Sequence, residues 1–148
     1  MHVRTWQAAY EHLFGAELLA GMDVERRAER WRHWLGEGQD VLVAVDGEQV
    51  VAFVWVGPSR DPDADAELYA IYALPEAWGT EAGTALMRAG LDVMREGGYT
   101  EAILWVLEDN PRARRFYERE GWRFDEAVKD DDVLGRRVTE VRYRIKLV

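Results

Sequence analysis

Two stretches of this sequence combine residue types and spacings that could do chemistry. In the first, the strand-like run Leu68-Tyr-Ala-Ile-Tyr-Ala-Leu74 is stopped by Pro75. A glycine turn, Trp78-Gly79-Thr80-Glu81-Ala82-Gly83, then opens a helical pattern that runs to about Glu96. A turn at a helix start presents backbone N–H groups that have no partner inside the helix, beside the positive end of its dipole. Phosphate and pyrophosphate bind at such places. The spacing Gly79-x-x-x-Gly83 is also what an ordinary tight turn requires. The second stretch is Asn110-Pro-Arg-Ala-Arg-Arg-Phe-Tyr117-Glu-Arg-Glu-Gly121-Trp122. Asn suits a helix N-cap, Pro suits the first helical position, and Gly121 suits the stop. Its Phe116-Tyr117 pair could fill a core, and Arg112, Arg114 and Arg115 could line a wet face.

Several other chemistries are excluded. The chain has no cysteine, so it has no thiolate zinc site, disulfide framework or cysteine nucleophile. Three histidines leave little for a histidine-based metal site, and no metal is expected. No Ser-His-Asp arrangement, HExxH helix or EF-hand loop is evident. With 28 acidic against 19 basic residues the net charge is −9, which argues against nucleic acid as a partner. No window approaches a membrane-spanning run of about 18 apolar residues, and the N-terminus has no signal-like apolar segment. The expectation is a cytoplasmic protein with no membrane partner.

The elements that must position these stretches can be read from periodicity. Val3, Trp6, Tyr10 and Leu13 mark one face of a first helix. Asp23 caps a second helix with the stripe Val24, Ala28, Trp31 and Leu35, which ends at Gly36 and Gly38. Strands at 41–45 and 50–56 flank Asp46-Gly47, a hairpin signal. The Pro/Asp-rich patch from Pro58 to Ala66 reads as a loop. The helix after Gly83 should turn Leu86, Gly90, Val93 and Met94 inward and stop at Gly97-Gly98. A strand at 102–107 follows, then the helix from Asn110 to Gly121. Trp122–Val128 and Val138–Leu147 form a closing antiparallel pair around a charged loop, Lys129–Arg137. The strands at 68–74 and 102–107 flank a crossover helix, so they should be parallel neighbours. The 148 residues make one domain, 1–148, a mixed but mostly antiparallel six-stranded α/β sheet with helices on both faces.

In this order and spacing, the segments Glu67–Pro75, Trp78–Gly83 and Asn110–Trp122 resemble the GNAT superfamily of acyl-CoA-dependent N-acetyltransferases. They are similar to its fourth strand, its pyrophosphate loop and its Asn-x-x-Ala-x-x-Phe-Tyr-x-x-x-Gly-Phe helix. The resemblance implies acetyl-CoA as acyl donor, bound in a splayed V between the strands at 68–74 and 102–107. Its pantetheine arm would pair with the backbone of Ile71, Tyr72 and Ala73. Its pyrophosphate would meet Trp78, Gly79, Thr80, Glu81, Ala82, Gly83 and Thr84. Asn110 would hydrogen-bond the CoA arm, and Arg115, with Arg112, Arg114 and Arg88 as alternatives, would reach the 3′-phosphate. The resemblance further implies Tyr117 as general acid for the leaving thiolate and Glu67 as general base for the attacking amine. A backbone N–H near Ala73 or Leu74 would stabilise the oxyanion.

The chain departs from the family at three points. Trp78 stands where Gln or Arg is usual, and Glu81 stands where Gly is usual, bringing a carboxylate close to a pyrophosphate. The family's first strand has no counterpart before the first helix: either the true start lies upstream or the protein lacks the strand, in which case the strand at 41–45 would be an uncovered edge that a second copy could cover as a homodimer. The acceptor implied is a primary amine of a small molecule or peptide. Asp61, Asp63, Asp65 and Glu67, with Asp125, Glu126 and Asp130–Asp132, would make a negative mouth that draws a cationic amine. Tyr69 and Tyr72 should point to opposite faces, so only one would line the acceptor pocket. Trp6, Tyr10, Trp31 and Trp34 would wall that pocket or pack a core, with Trp34 the better pocket candidate. A non-catalytic acyl-CoA-binding or protein-interaction module of the same fold is the alternative.

Overall fold

The computed structural model describes residues 2–9, 25, 28–30, 32, 33 and 40–148. Helix α1 (His2–Ala9) precedes strands β1 (Asp40–Asp46), β2 (Gln49–Pro58) and β3 (Ala66–Ala73). Helix α2 (Ala82–Glu96), strand β4 (Glu101–Leu107), helix α3 (Pro111–Arg119) and the hairpin of β5 (Arg123–Val133) and β6 (Arg136–Lys146) follow. The six strands form one sheet in the order β1-β2-β3-β4-β6-β5. Only β3 and β4 run parallel; the other neighbours are antiparallel. Tyr10, Leu13, Asp23, Val24, Trp31, Trp34, Leu35, Gly36 and Gly38, which carry the rest of the two expected N-terminal helices, lie outside the described residues.

The two faces of the sheet have different covers. Helix α2 buries Leu86, Met87, Gly90, Leu91 and Met94. Gly90 lies so close to β2 that a Cβ there would stand 3.4 Å from Val54. Val93 sits half-buried at the margin, because a face covering a twisted sheet is wider than a single stripe. On β2, Phe53 is adjacent to Val54 and therefore points the other way. There it meets His2 of α1, with ring centroids 5.6 Å apart, and His2 stacks on Tyr72 at 4.8 Å. Helices α1 and α2 thus cover opposite faces.

Several boundaries differ from the sequence reading. Pro58 and Ala66 are strand residues, so the loop is only 59–65, while Leu74 lies beyond β3 and leads into a 3-10 turn at Pro75–Ala77. The charged run 129–137 is not a loop. Its residues pair across the hairpin, Lys129 with Glu140, Asp130 with Thr139 and Asp132 with Arg137, so opposite charges and a hydroxyl face one another. The turn is only Leu134-Gly135, both at positive φ, +51° and +77°, as a two-residue hairpin loop of mirror type demands.

The feature that matters most for function is a failure of pairing. Strands β3 and β4 meet only at Ala66↔Ala102 and Glu67↔Ile103. Strand β4 then stays paired with β6 to Leu107↔Glu140 and β3 with β2 to Ala73↔Ala52, so the sheet parts between β3 and β4. A bulge accompanies the departure. Trp55 faces Ala70 and Val56 faces Leu68, which makes Tyr69 the extra residue. Bulges bend a strand and raise its twist.

Candidate active site

The splay widens toward the C-terminal ends of β3 and β4, the edge from which the chain runs into α2 and α3. A cavity of about 80 Å³ lies in it, bordered by Trp6 of α1, Tyr69 and Tyr72 of β3, Trp105 of β4, Tyr117 of α3 and Glu140 of β6. Both tyrosines of β3 border it, contrary to strict alternation. The bulge explains this, since the extra residue turns Tyr69 to the side of Ala70 and Tyr72.

The backbone of β3 divides its hydrogen bonds between β2 and the splay. Leu74 N–H donates to Val51 O at 2.8 Å. With Ala73 opposite Ala52, this marks a non-hydrogen-bonded pair, so the N–H and C=O of Ala73 face away from β2. The same holds two residues earlier for Ile71, opposite Val54, whereas Tyr72 spends its backbone groups on Phe53. Of the three residues expected along the pantetheine arm, Ile71 and Ala73 therefore aim backbone groups into the splay, and Tyr72 offers its ring. Leu74 is corrected as an oxyanion donor, because its N–H is committed to β2. The Ala73 carbonyl accepts from Trp78 Nε1 at 2.8 Å.

At the glycine turn, Gly79 takes φ +74°. Thr80 Oγ1 donates to Ala77 O at 2.6 Å and accepts from Ala82 N–H at 3.3 Å. Helical bonding starts at Ala85 N–H, which donates to Glu81 O at 2.9 Å. Gly83 and Thr84 are left with first-turn N–H groups that the helix cannot satisfy. Gly83 also admits α3, since a Cβ there would stand 3.5 Å from the Phe116 ring. The Thr84 hydroxyl donates to Glu120 at 2.7 Å and so ties the two helices together. The Glu81 side chain makes no capping bond and is exposed. Trp78 carries the Arg112 guanidinium at 3.4 Å from its ring centroid, returning a cation to the turn by stacking. Arg115 is exposed on α3.

Helix α3 is fixed at both ends. Asn110 is buried, and its Oδ1 accepts from Ala113 N–H at 3.3 Å as an N-cap. At the other end Gly121 takes φ +96°. Its N–H donates to Glu118 O at 3.2 Å, and Trp122 N–H donates to Tyr117 O at 3.0 Å, the paired bonds of a glycine-stopped helix. Trp122 is 1% exposed and anchors that end. Tyr117 is thereby held in the core, its ring 6.2 Å from that of Tyr143 and 6.4 Å from that of Trp122. No hydrogen bond joins its hydroxyl to another described residue. Burial, with a smaller contribution from Tyr72, pushes its pKa well above the ordinary tyrosine value, so the phenol keeps its proton at neutral pH.

The acidic residues behave differently from their appearance in the sequence. Glu67 is 1% exposed and does not border the cavity. Its Oε1 accepts Arg60 N–H at 3.0 Å, and its Oε2 accepts Arg60 Nη2 at 2.5 Å and Nε at 3.2 Å. Arg142 of β6 donates to Asp61 at 3.1 Å, to Asp63 at 2.7 Å and to Asp125 at 2.7 Å. Arg144 reaches Asp63 at 3.1 Å and Asp125 at 3.2 Å. Asp65 accepts from Thr100 N–H at 2.8 Å and Glu101 N–H at 3.1 Å. These bonds hold Asp63 and Asp65 below the usual carboxylate range, chiefly through Arg142 and Thr100 respectively. In the expected negative mouth, Asp61, Asp63 and Asp125 are thus paired with Arg142 or Arg144, Glu67 with Arg60, and Asp65 with backbone N–H groups.

Among the described residues, the carboxylate that borders the cavity is Glu140, which the sequence reading passed over. The only available signal was an acid inside an otherwise half-buried strand that must run beside β4.

The chain matches the acetyltransferase (GNAT) family over residues 5–122. It is 31% identical over 146 residues to the uncharacterized N-acetyltransferase YuaI of Bacillus subtilis, an alignment covering 95% of this chain and 81% of YuaI. It is 38% identical over 93 residues to the mycothiol acetyltransferase of Sanguibacter keddieii, covering 60% of this chain but only 29% of that protein. Among solved structures, the PaiA N-acetyltransferase of Thermoplasma acidophilum in complex with coenzyme A superposes with a TM-score of 0.73 at 18% identity, covering 97% of this chain and 87% of that one. The family match spans the splay and both helices that begin at its open end, so the chain belongs to the acetyltransferase (GNAT) family and is an acetyltransferase.

Proposed function

We propose that the protein transfers an acetyl group from acetyl-CoA directly to a primary amine of a small molecule or peptide. The observation that carries this reading is Tyr117, a buried, protonated phenol that borders the cavity between the parting strands. The residues present suit the donor. Backbone groups of Ile71 and Ala73 aim into the splay to meet an amide-bearing arm. Unpaired N–H groups of Gly83 and Thr84, with Arg112 over Trp78, suit a pyrophosphate at the start of α2. Asn110 caps the start of the neighbouring helix α3, which carries the exposed Arg115.

The amine attacks the thioester carbonyl, forming the C–N bond. The oxyanion that develops is met by the Ala73 N–H, a fixed backbone donor that faces the splay. As the C–S bond breaks, the Tyr117 hydroxyl gives its proton to the departing sulfur and regains one shed by the nitrogen. Holding both substrates in one narrow splay removes much of the entropic barrier.

The test is thiol release from acetyl-CoA by the wild-type protein with a panel of small amines and peptides bearing free N-termini or lysines. Amine-dependent release is the expected result. Acetyl-CoA binding without release by any amine would make the protein a binding module of the same fold.

A further inference from the structure

We infer that Glu140 is the carboxylate that receives the acceptor's ammonium group and removes its proton before attack. The inference rests on the acetyl-transfer reading and names the acceptor side of the same cavity. Glu140 stands opposite Leu107, the last residue of β4, at the open end of the splay. Its side chain is 17% exposed and borders the cavity that Tyr117 borders from α3.

Its surroundings suit proton transfer. Among the described residues, the charged groups facing it are Lys129 and Asp131 from β5 and Arg60 from the 59–65 loop. The rings of Tyr69, Tyr72 and Tyr117 share its cavity, and burial raises the pKa of the Tyr69 and Tyr117 phenols. Burial is the largest influence on Glu140 and raises its pKa, and Asp131 adds to this, while Lys129 and Arg60 oppose it. Lys129 Nζ lies 3.6 Å from Oε2, too far for a tight hydrogen bond, and 4.1 Å from the Trp105 ring centroid. Among the described residues, Lys129 alone pairs with the carboxylate, which is therefore held in place without being saturated by them. Glu67, by contrast, is saturated by Arg60.

The rings of Tyr69, Tyr72 and Trp105 also border the cavity; Arg60 lies over Tyr69, Lys129 over Trp105, and His2 stacks on Tyr72. The acceptor class is a primary ammonium, the group that a half-buried carboxylate recognises. In the balanced reaction the ammonium gives one proton to Glu140. The neutral amine then takes the acetyl group, and sulfur leaves as a thiol with the proton from Tyr117. Glu140 afterwards releases its proton to solvent.

The test is the pH profile of kcat/KM for wild type, Glu140→Gln, Lys129→Met and Glu67→Gln with one amine that wild type acetylates, alongside acetyl-CoA affinity. Wild type should show an acidic limb above the ordinary carboxylate range. Glu140→Gln should lose that limb and about 10²-fold or more in kcat/KM, with acetyl-CoA affinity unchanged. Lys129→Met removes a group that lowers the pKa, so its limb should move to higher pH, a shift that a merely structural role would not produce. Glu67→Gln should leave the limb where it is. A wild-type profile in Glu140→Gln overturns the inference and leaves the acetyl-transfer reading intact. If Glu140→Gln does not fold, a limb that stays put in Lys129→Met overturns it equally. A wild-type protein that turns over no amine overturns both.

Discussion

Glu67 and Glu140 both belong to strands beside the splay, yet they are prepared for opposite tasks. Glu67 sits at the closed end, where β3 and β4 still pair, and is almost completely buried. Arg60 reaches it with its backbone N–H and its guanidinium, so both oxygens are occupied. Glu140 sits at the open end opposite Leu107, faces the cavity, and has its pKa raised by burial. The difference teaches that residue type and strand position do not choose a base. What chooses it is whether the surrounding donors have left the carboxylate any reason to take a proton.

Breaking each carboxylate's partner should expose this difference most strongly in stability. Arg60→Ala leaves the Glu67 carboxylate buried with one backbone donor, which should cost on the order of 1–3 kcal/mol. Chemical denaturation at pH 7 reads it, and an unchanged midpoint would show that water replaces the guanidinium. Glu140→Gln should behave in the opposite way. A carboxylate whose folded pKa is raised contributes stability below its unfolded pKa, and that contribution is lost as pH rises through the folded value. At pH 7 the Gln variant should therefore match or exceed wild type in the same experiment. A clear loss there would mean that the Lys129 pair is a structural one.

A third carboxylate sharpens the comparison on the donor side. Glu81 is exposed and uncapped at the start of α2, close to where a pyrophosphate would lie. Glu81→Gly should tighten acetyl-CoA by about 1 kcal/mol at low salt, the scale of a solvated charge pair, and by less as salt rises. Equal affinities by calorimetry would mean that the side chain turns away from the phosphates.

Much of this arrangement could be read from the chain. Gly97-Gly98 and Asn110-Pro111 mark real helix boundaries, and Gly98 at φ +86° and Gly121 at φ +96° show why glycine stands where it does. The parallel pairing of β3 and β4 followed from the crossover helix. The bulge at Tyr69 could not be read, because no glycine or proline marks it and the register shift depends on β2. The length of the β5–β6 hairpin was hidden by its charges, which look like a solvated loop until they are paired across strands. For the same reason the acidic run 61–67 looked like an open mouth. Its arginine partners, Arg142 and Arg144, are remote in the sequence, and only folding brings them together. Tyr117 was legible because its helix carries its own start and stop, whereas Glu140 has no local punctuation around it.

The central claim is that Tyr117 protonates the leaving thiolate, and Tyr117→Phe tests it most directly. The substitution removes a hydroxyl that has no hydrogen bond to another described residue, so the fold and acetyl-CoA affinity should be preserved. With an amine that the wild type acetylates, kcat should fall about 10²-fold or more while acetyl-CoA binding, measured by calorimetry, stays the same. Turnover close to wild type in the Phe variant would contradict the account, because the sulfur would then be leaving without the proton assigned to it.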